Sequence, residues 1–531
     1  MTEKRTNEKK PFAGKKTFGD KKPFGQKKNF GDKKPFGDKK NFGDKKPFGK
    51  PAGDRKFGKP APRKPVEEGE RVFGRLVKDA PVETTGLTMN ARRVALDVLC
   101  DVHQNGAFAS LSLDEKLRAA KLRPEDRRLV TSIVYGTLEN EARIDYALDK
   151  LMDHPTHQPS QRDILRMSAY QILFLDRVPD SAAVNEAVKL VKAMNMEAAS
   201  GFINAVLRNL SRGKNEIEWP KKEDDLRTYL HIMGSMPMWL VDRLIADYGE
   251  EEAEKLILYR ETEHPIVVRP NFNKISDEEF EKLLSKKEWR VERGLAPHAW
   301  LVYGAQEITF DPDYAKGLFS IQGQSSMLAA EAMQVKPGMK VLDACAAPGG
   351  KSAYMCEKMQ LSGRVYSWEL HDKRALLLEG VRRRLGLDNM RISVRDAGEF
   401  REDFESTLDA VLLDAPCAGL GVLAQKPDVK LRLKEEDIPS IVESQKRLLD
   451  TVCRYVKKGG TLVYSTCSIL PEENAKQVEA FLERHPEYEL QTLPESFPEE
   501  LRKLQGNHGL QLLGCRDGVE GFFIARMRRV R

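Results

Sequence analysis

Two cysteines end apolar, strand-like segments that lie fifty residues apart. Cys417 follows the apolar part of VLLDAPCAGLG, and Cys467 follows GTLVYS. Two thiols at the ends of strands could form a disulfide, supply half of a metal site, or act together in one reaction. Neither strand end offers the two further Cys or His ligands that a zinc site needs. A disulfide is uncommon in the cytoplasm.

Charged residues accompany these thiols. Asp414 stands three residues before Cys417, and Lys351 lies at the end of a glycine-rich turn. An isolated buried cysteine is commonly an inert core residue. A thiol beside an acidic and a basic group instead favours a nucleophile, because a nearby cation stabilises the reactive thiolate.

The glycine-rich turn, DACAAPGGKS, follows a third strand-like segment. Its GKS ending imitates a nucleotide-binding P-loop, but Cys345 stands where that motif requires glycine. Glu369 lies 19 residues after Gly350, close to the spacing of about 20 at which an acidic residue meets a ribose. We therefore expect an adenosine-bearing cofactor without a required pyrophosphate. The alternative is a tight turn that only packs a helix on a sheet.

Strands and helices alternate from residue 338 onward. The predicted strands are KVLDACA, GRVYSWEL, RISVRD, LDAVLLDAP, GTLVYSTCS and GFFIARM, and the helices between them include 372–385 and 440–457. This alternation predicts an α/β domain with a mostly parallel, doubly wound, Rossmann-like sheet. Ligands bind at the carboxyl ends of such strands, and the chemistry-bearing residues stand at these ends: Cys345 to Lys351, Glu369, Asp396, Asp414 to Cys417, and Cys467.

Two regions precede this catalytic domain, which we place at 321–531. Residues 88–212 show apolar residues at three- and four-residue spacing in six segments, which predicts a helical bundle. Residues 213–320 mix helical and strand-like patterns, which predicts a small α/β connecting domain without chemistry of its own. HPTH at 154–157 favours a loop with ordinary histidines over a metal site, since no Cys or acidic pair completes a ligand set.

The N-terminal segment, residues 1–75, is a basic tail. KKxFG recurs six times from residue 15, and residues 1–65 hold 22 Lys or Arg against 7 Asp or Glu, a balance of +15. Isolated Phe residues among Gly, Lys and Asp cannot bury one another, so we expect disorder. Lys pairs suit phosphates and Phe suits stacking on unpaired bases, which predicts additional non-specific RNA contacts. The alternative is a tail that only improves solubility.

Composition excludes several classes of protein. The seven cysteines contain no CxxC pair and do not resemble a secreted disulfide framework. The N-terminus lacks the apolar region of a signal peptide, and no apolar run approaches the roughly 18 residues of a membrane span. We expect a soluble, cytoplasmic monomer with no membrane association and no metal.

The motifs DACAAPGGKS, DAPCAGLGVLAQKPDVK and YSTCSILPEEN together resemble RNA 5-methylcytosine methyltransferases that use S-adenosylmethionine. The helical segment resembles the antitermination factor NusB, and this fusion is similar to the bacterial 16S rRNA (cytosine-5) methyltransferase family called RsmB, Sun or Fmu. The resemblance covers residues 88–531. It implies methylation of a cytosine in rRNA, with residues 88–212 as an RNA-binding domain.

The resemblance also implies roles for individual residues. Cys467 would be the nucleophile, Cys417 would assist product release, and Asp414 would hydrogen-bond the cytosine ring, with Lys351 beside them. Glu369 would bind the ribose and Asp396 would lie near the adenine. The residues implied to bind the cofactor are Cys345, Ala346, Ala347, Pro348, Gly349, Gly350, Lys351, Glu369, Asp396 and Asp414.

The chain departs from the family pattern at three places. Ala418 stands where Ser is usual, Ala424–Gln425 replaces a commonly basic pair, and Glu369 replaces Asp. The second change would weaken phosphate contacts, which the basic tail could offset. Two other functions stay open: a tRNA cytosine-5 methyltransferase, and a non-catalytic RNA-binding factor in ribosome assembly. Retention of both Cys417 and Cys467 counts against the latter, because binding alone needs neither thiol.

Overall fold

The computed structural model describes residues 90–531 except 153–155, 157, 262, 264 and 306–307. The repeat tail and the histidines of HPTH lie outside the described residues.

The first region is all helical. Its helices are α1 (Ala91–Asn105), α2 (Ala109–Ala119), α3 (Pro124–Glu139), α4 (Glu141–Asp149), α5 (Pro159–Phe174), α6 (Asp180–Ala193) and α7 (Ser200–Gly213). The six predicted helices are present, which confirms the helical bundle. The sequence pattern missed α2, because only Ala109, Ser112 and Leu113 of this helix are buried and its apolar face is correspondingly short.

Caps and a buried charge network fix this bundle. The Asn90 side chain accepts a hydrogen bond of 2.9 Å from the Arg93 amide at the start of α1, which satisfies a free helix N–H. His103 lies between Asp163 and Glu141, at 2.6 and 3.0 Å. Burial alone would lower the pKa of His103, but the two carboxylates raise it to about 10. The ring is therefore a buried cation with two counter-charges.

Three helices and a small sheet follow. The helices are α8 (Leu226–Met233), α9 (Met238–Tyr248) and α10 (Glu250–Leu258). The sheet region comprises β1 (Ile266–Pro270), α11 (Asp277–Leu284), β2 (Arg290–Arg293), β3 (Trp300–Tyr303), α12 (Pro312–Ala315) and β4 (Phe319–Ile321). The strand order is β2-β3-β1-β4, with every pairing antiparallel. This βαββαβ arrangement confirms the predicted small α/β fold. The sequence pattern missed β2 and β4, which span four and three residues.

The last region is the predicted α/β domain. Its elements are α13 (Gln324–Glu331), β5 (Lys340–Asp343), α14 (Gly350–Lys358), β6 (Arg364–Glu369), α15 (Asp372–Leu385), β7 (Met390–Val394), β8 (Leu408–Asp414), α16 (Val429–Arg432), α17 (Ile438–Val452), β9 (Val456–Thr466), α18 (Ala475–Arg484), β10 (Tyr488–Leu490), α19 (Glu499–Arg502), β11 (Leu510–Leu512), α20 (Gly514–Asp517) and β12 (Phe522–Arg529). The predicted helix 372–385 is α15, whereas the predicted helix 440–457 ends at Val452 as α17.

The main sheet has the order β10-β12-β9-β8-β5-β6-β7, with β11 also paired to β12. Strands β5 to β9 pair in parallel, whereas β12 runs antiparallel to β9. The strands that follow β5 in the chain therefore lie on both sides of it, with β6 on one side and β8 on the other. This is the topological switch point at which open α/β sheets bind ligands. None of the described helices is long and apolar enough to cross a membrane.

The candidate active site at the ends of β5, β8 and β9

The two cysteines that the sequence places at strand ends meet in the structure. β8 and β9 are parallel neighbours, and Asp414 pairs with Ser465 at their carboxyl ends. This register brings Cys417 Sγ and Cys467 Sγ to 3.3 Å from each other. A disulfide has an S–S distance of about 2.05 Å, and both cysteines are free thiols. The pair is therefore arranged to share a proton.

Asp414 lies beside this pair and is held from two sides. Its carboxylate accepts hydrogen bonds of 2.8 Å from Lys351 Nζ and of 2.8 Å from Ser465 Oγ. Burial alone would lower the pKa of Lys351, but the Asp414 carboxylate raises it above its ordinary value. Lys351 therefore stays a cation at the site. Ser465, on β9, was not anticipated from the sequence, because serine in a strand carries no specific signal.

The two thiols have different surroundings. The hydrogen bond with Cys417 lowers the pKa of Cys467, and the charges of Lys426 and Lys351 act in the same direction, against burial and the negative charge of Asp414. The same hydrogen bond, together with burial and the negative charges of Glu473 and Asp414, raises the pKa of Cys417. The two pKa shifts both act towards a thiolate at Cys467 and a protonated thiol at Cys417.

Glu473 connects the two cysteine turns and was missed by the sequence analysis. One carboxylate oxygen accepts hydrogen bonds from the Ala418 amide at 2.9 Å and from Gln445 Nε2 at 2.8 Å. The other accepts from Ser468 Oγ. The available signal was PEEN, which begins four residues after Cys467 in the same motif and places Glu473 six residues after this cysteine.

The glycine-rich turn after β5 is fixed to both neighbouring strands. The Ala344 amide donates to the Leu412 carbonyl of β8 at 2.9 Å, and the Ala346 amide donates to the Trp368 carbonyl of β6 at 2.8 Å. Gly349 has a φ of 113° and precedes the first residue of α14, a backbone conformation that favours glycine. The turn therefore holds residues 345–351 at the switch point and starts α14 beneath them.

Three acidic side chains lie at or just after the carboxyl ends of β5, β6 and β7 and have different partners. Glu369, at the end of β6, is 3% exposed and accepts a hydrogen bond of 3.1 Å from the His371 amide. Asp343 Oδ2 accepts a hydrogen bond of 2.7 Å from Ser352 Oγ, whereas Asp343 Oδ1 has no hydrogen-bond partner among the described residues. Asp396 pairs with Arg447 at 3.2 Å.

The Asp343 carboxyl is buried, and burial raises its pKa to about 7. A buried hydrogen-bond acceptor without a partner destabilises the fold unless a ligand or a water molecule donates to it. The carboxylate at the end of β6 suits a ligand that carries hydroxyl donors. An adenosine-bearing cofactor has this chemistry, so the residues present fit the group that the sequence predicts.

The segment that follows Cys417 packs against the helical region. Just before α16, Asp428 Oδ2 accepts a hydrogen bond of 3.3 Å from the Ala109 amide, and Arg432 of α16 lies 3.9 Å from the centre of the Phe108 ring. Leu431 packs against the core of the helical bundle. The segment that follows Cys417 is thus in direct contact with the helical region, which the sequence did not predict.

A cavity of about 1230 Å³ lies between the helical region, the small sheet and the Leu420–Gln425 segment. Its lining includes Arg128, Arg260, Lys430, Glu139 and Glu520, so both charge signs are present. Cys417, Cys467 and the glycine-rich turn do not line it.

Three family models match successive parts of the chain. Residues 89–212 match the NusB family, and residues 236–309 match a ferredoxin-like domain of RsmF/B-like methyltransferases. Residues 330–528 match the 16S rRNA methyltransferase RsmB/F family. The order of the three matches follows the order of the three regions of the fold.

Individual proteins match nearly end to end. The chain is 37% identical over 445 residues to a Bacillus subtilis protein named "Probable ribosomal RNA small subunit methyltransferase B", covering 83% of this chain and 99% of that one. It is 30% identical to the "Ribosomal RNA small subunit methyltransferase B" of Vibrio vulnificus, covering 82% and 99%. The crystal structure of PH0851 superposes with a TM-score of 0.71 at 25% identity, covering 83% and 99%.

Proposed function

We propose that this chain, which belongs to the 16S rRNA methyltransferase RsmB/F family, methylates carbon-5 of a cytosine in small-subunit rRNA through a covalent cysteine adduct. Family membership makes the chain an rRNA methyltransferase that uses S-adenosylmethionine. The position of the methyl group on the base and the covalent route are our proposal. The observation that carries it is the 3.3 Å approach of Cys417 Sγ and Cys467 Sγ beside Asp414.

The chemistry accounts for the need for two thiols. Carbon-5 of cytosine is too weak a nucleophile to take a methyl group directly. When the Cys467 thiolate adds to carbon-6, a C–S bond forms and carbon-5 gains the electron density of an enamine. Carbon-5 can then attack an electrophilic methyl group. S-adenosylmethionine, when bound, supplies this methyl group on a sulfonium. Covalent catalysis of this kind divides one difficult step into easier ones.

Release of the product requires the reverse of the addition. A base, such as a water molecule, takes the proton of carbon-5, the electrons of that C–H bond restore the C5–C6 double bond, and the C6–S bond breaks to return the Cys467 thiolate. We assign assistance in this step to Cys417, whose Sγ lies within proton-sharing distance of the departing sulfur. Asp414 would accept a hydrogen bond from the cytosine ring, and Lys351 would hold Asp414 in place.

The turn and the adjacent strand ends would hold the cofactor. Glu369 would accept hydrogen bonds from the ribose, and Asp396 would lie near the adenine. The remaining residues that we assign to cofactor binding belong to one turn: Cys345, Ala346, Ala347, Pro348, Gly349, Gly350 and Lys351.

The other regions would bring the rRNA to this site. We propose 88–212 as the RNA-binding domain, 213–320 as the connecting domain and 321–531 as the catalytic domain. The contacts of α16 with the helical region support a single unit in which the RNA-binding surface is fixed relative to the cysteines. The basic tail would add non-specific contacts.

The test is to map 5-methylcytosine in rRNA and tRNA from cells with and without the protein. We expect a single cytosine of small-subunit rRNA to lose its methyl group and the purified protein to restore it. Loss confined to tRNA would favour the tRNA enzyme. Unchanged methylation of both RNAs, with a defect in ribosome assembly, would favour the non-catalytic factor.

A further inference from the structure

Glu473 contacts both turns that carry the cysteines. Its carboxylate bonds to the amide of Ala418, the residue after Cys417. It also bonds to the side chain of Ser468, the residue after Cys467. One carboxylate thus joins two segments that are fifty residues apart in the chain.

Gln445 of α17 strengthens this connection. Its Nε2 donates to Glu473 Oε2 at 2.8 Å and to the Pro416 carbonyl at 2.9 Å. The turn Pro416–Ala418 is therefore held on both sides of Cys417. Asn474, the next residue after Glu473, holds the residues on both sides of Cys467. It accepts a hydrogen bond from Thr466 Oγ1 at 2.5 Å and donates one to the Ser468 carbonyl at 2.8 Å.

The placement of Glu473 is costly. The residue is fully buried, and burial raises its pKa above the ordinary value. The groups that donate to it are a backbone amide, a side-chain amide and a hydroxyl, none of them charged. Burial of a carboxylate without a cation destabilises a fold, and a Gln could satisfy the same donors. Such groups occur preferentially at functional sites.

We propose that Glu473 is the positioning residue of the cysteine pair, and that its one carboxylate sets the distance and relative orientation of Cys417 and Cys467. The inference rests on the proposed function, since it concerns the same thiols. Glu473 touches neither the base nor the cofactor in this assignment and acts through the turns that it joins. Its negative charge also acts on Cys417, whereas Asp414 acts on both thiols and Lys351 and Lys426 act on Cys467.

Two substitutions separate position from charge. Glu473→Ala removes the connection. Glu473→Gln keeps it, because the amide oxygen can accept from Ala418 and Gln445 while the amide nitrogen donates to Ser468 Oγ, which can reverse its role. Glu472→Gln is the matched control, since Glu472 pairs with Arg243 of α9 instead.

The assays use the full-length protein and a small-subunit rRNA fragment with 5-fluorocytidine, whose fluorine cannot leave as a proton, so that the adduct accumulates. We expect Glu473→Ala to lower kcat and the rate of adduct formation by about 10²-fold, the effect of displacing reacting groups by about 1 Å. KM and S-adenosylmethionine affinity should stay at the wild-type values. Glu473→Gln should recover most of kcat, whereas Glu472→Gln should match the wild type throughout.

Alkylation of each cysteine as a function of pH gives a second readout. Glu473→Gln should lower the pKa at which Cys417 becomes reactive, because a buried negative charge beside it is lost. If Glu473→Ala does not fold, Glu473→Asp replaces it, because its carboxylate is one methylene shorter and cannot bond to both turns in the same way. Wild-type adduct formation by Glu473→Asp would then overturn the proposal. Wild-type adduct formation by a folded Glu473→Ala protein would also overturn it. Absence of any adduct with the wild-type protein would instead defeat the proposed function.

Discussion

Lys430 Nζ donates a hydrogen bond of 2.8 Å to the main-chain oxygen of Glu139. Lys430 belongs to α16, which follows the Cys417 turn, and Glu139 is the last residue of α3 in the helical region. This bond therefore connects the catalytic segment to the region that we assign to RNA binding. Lys430 is 4% exposed, so the contact is an interior one.

The first prediction concerns the pH dependence of this contact. Burial and the charge of Arg260 lower the pKa of Lys430 from 10.5 to about 7, against the opposing effect of Glu139 and Glu141. Between these two pH values the unfolded chain binds a proton that the folded chain does not. Stability rises with pH wherever the unfolded state binds more protons, so the cost of burying this charge is full below pH 7 and disappears towards pH 10.

Thermal unfolding of Lys430→Met and of the wild type at pH 6, 7.5 and 9 measures this effect. We expect the Tm of the wild type to rise relative to that of Lys430→Met by a few degrees between pH 7 and pH 9, where about 1 kcal/mol corresponds to roughly 2–4 °C for domains of this size. Lys446→Met, on the exposed side of α17, should parallel the wild type. Parallel pH profiles for Lys430→Met and the wild type would show that the ammonium is not the titrating group.

The second prediction distinguishes the two cysteines. Cys467→Ser should abolish methylation and form no covalent complex with RNA, because a hydroxyl is a much weaker nucleophile than a thiolate. Cys417→Ser should attack and transfer the methyl group, then stall with protein joined to RNA in a denaturing gel. The reverse pattern would assign the attack to Cys417, which follows Pro416 as the nucleophile of DNA cytosine-5 methyltransferases follows a proline. The reaction class would stand in either case.

The third prediction concerns the cofactor. Glu369→Ala should weaken S-adenosylmethionine binding by roughly 1.5 to 3 kcal/mol, the usual range for hydrogen bonds to a charged group. Isothermal titration calorimetry measures this loss. Glu379→Ala is the control, because Glu379 pairs with Arg382 and Arg383 on the same helix. Wild-type affinity for Glu369→Ala would mean that the ribose binds elsewhere.

The fourth prediction concerns the basic tail. Removal of residues 1–65, whose charge balance is +15, should weaken RNA affinity and flatten its salt dependence. Each phosphate neutralised contributes about −0.7 to the log–log slope for single strands. Replacing the Lys pairs of the repeats by Gln should flatten the slope in the same way, whereas replacing their Phe residues by Ala should leave it. An identical slope in the truncated protein would favour a solubilising role, and cofactor affinity should be unaffected by either change.

The sequence alone determined the α/β class and the edge of the sheet at which the chemistry lies. Apolar segments of strand length that alternate with helices predict a parallel sheet, and the carboxyl ends of its strands share one edge. Cys417 and Cys467 follow two such segments, so local pattern places both at the same edge of the sheet. The predicted strands KVLDACA and GTLVYSTCS extend too far at their carboxyl ends. β5 ends at Asp343 and β9 at Thr466, so Cys345 and Cys467 lie in the turns that follow these strands.

Only the tertiary structure decided which groups control those thiols. The 3.3 Å distance depends on the register in which Asp414 lies opposite Ser465, and no local pattern specifies the register between two strands. Glu473, Gln445 and Lys430 act through contacts with residues distant in sequence. A buried Glu or Lys has the same sequence signature as an exposed one, because burial is a property of the packed chain. The sequence therefore supplied the reacting atoms, and packing determined their distance, protonation and connection to the helical region.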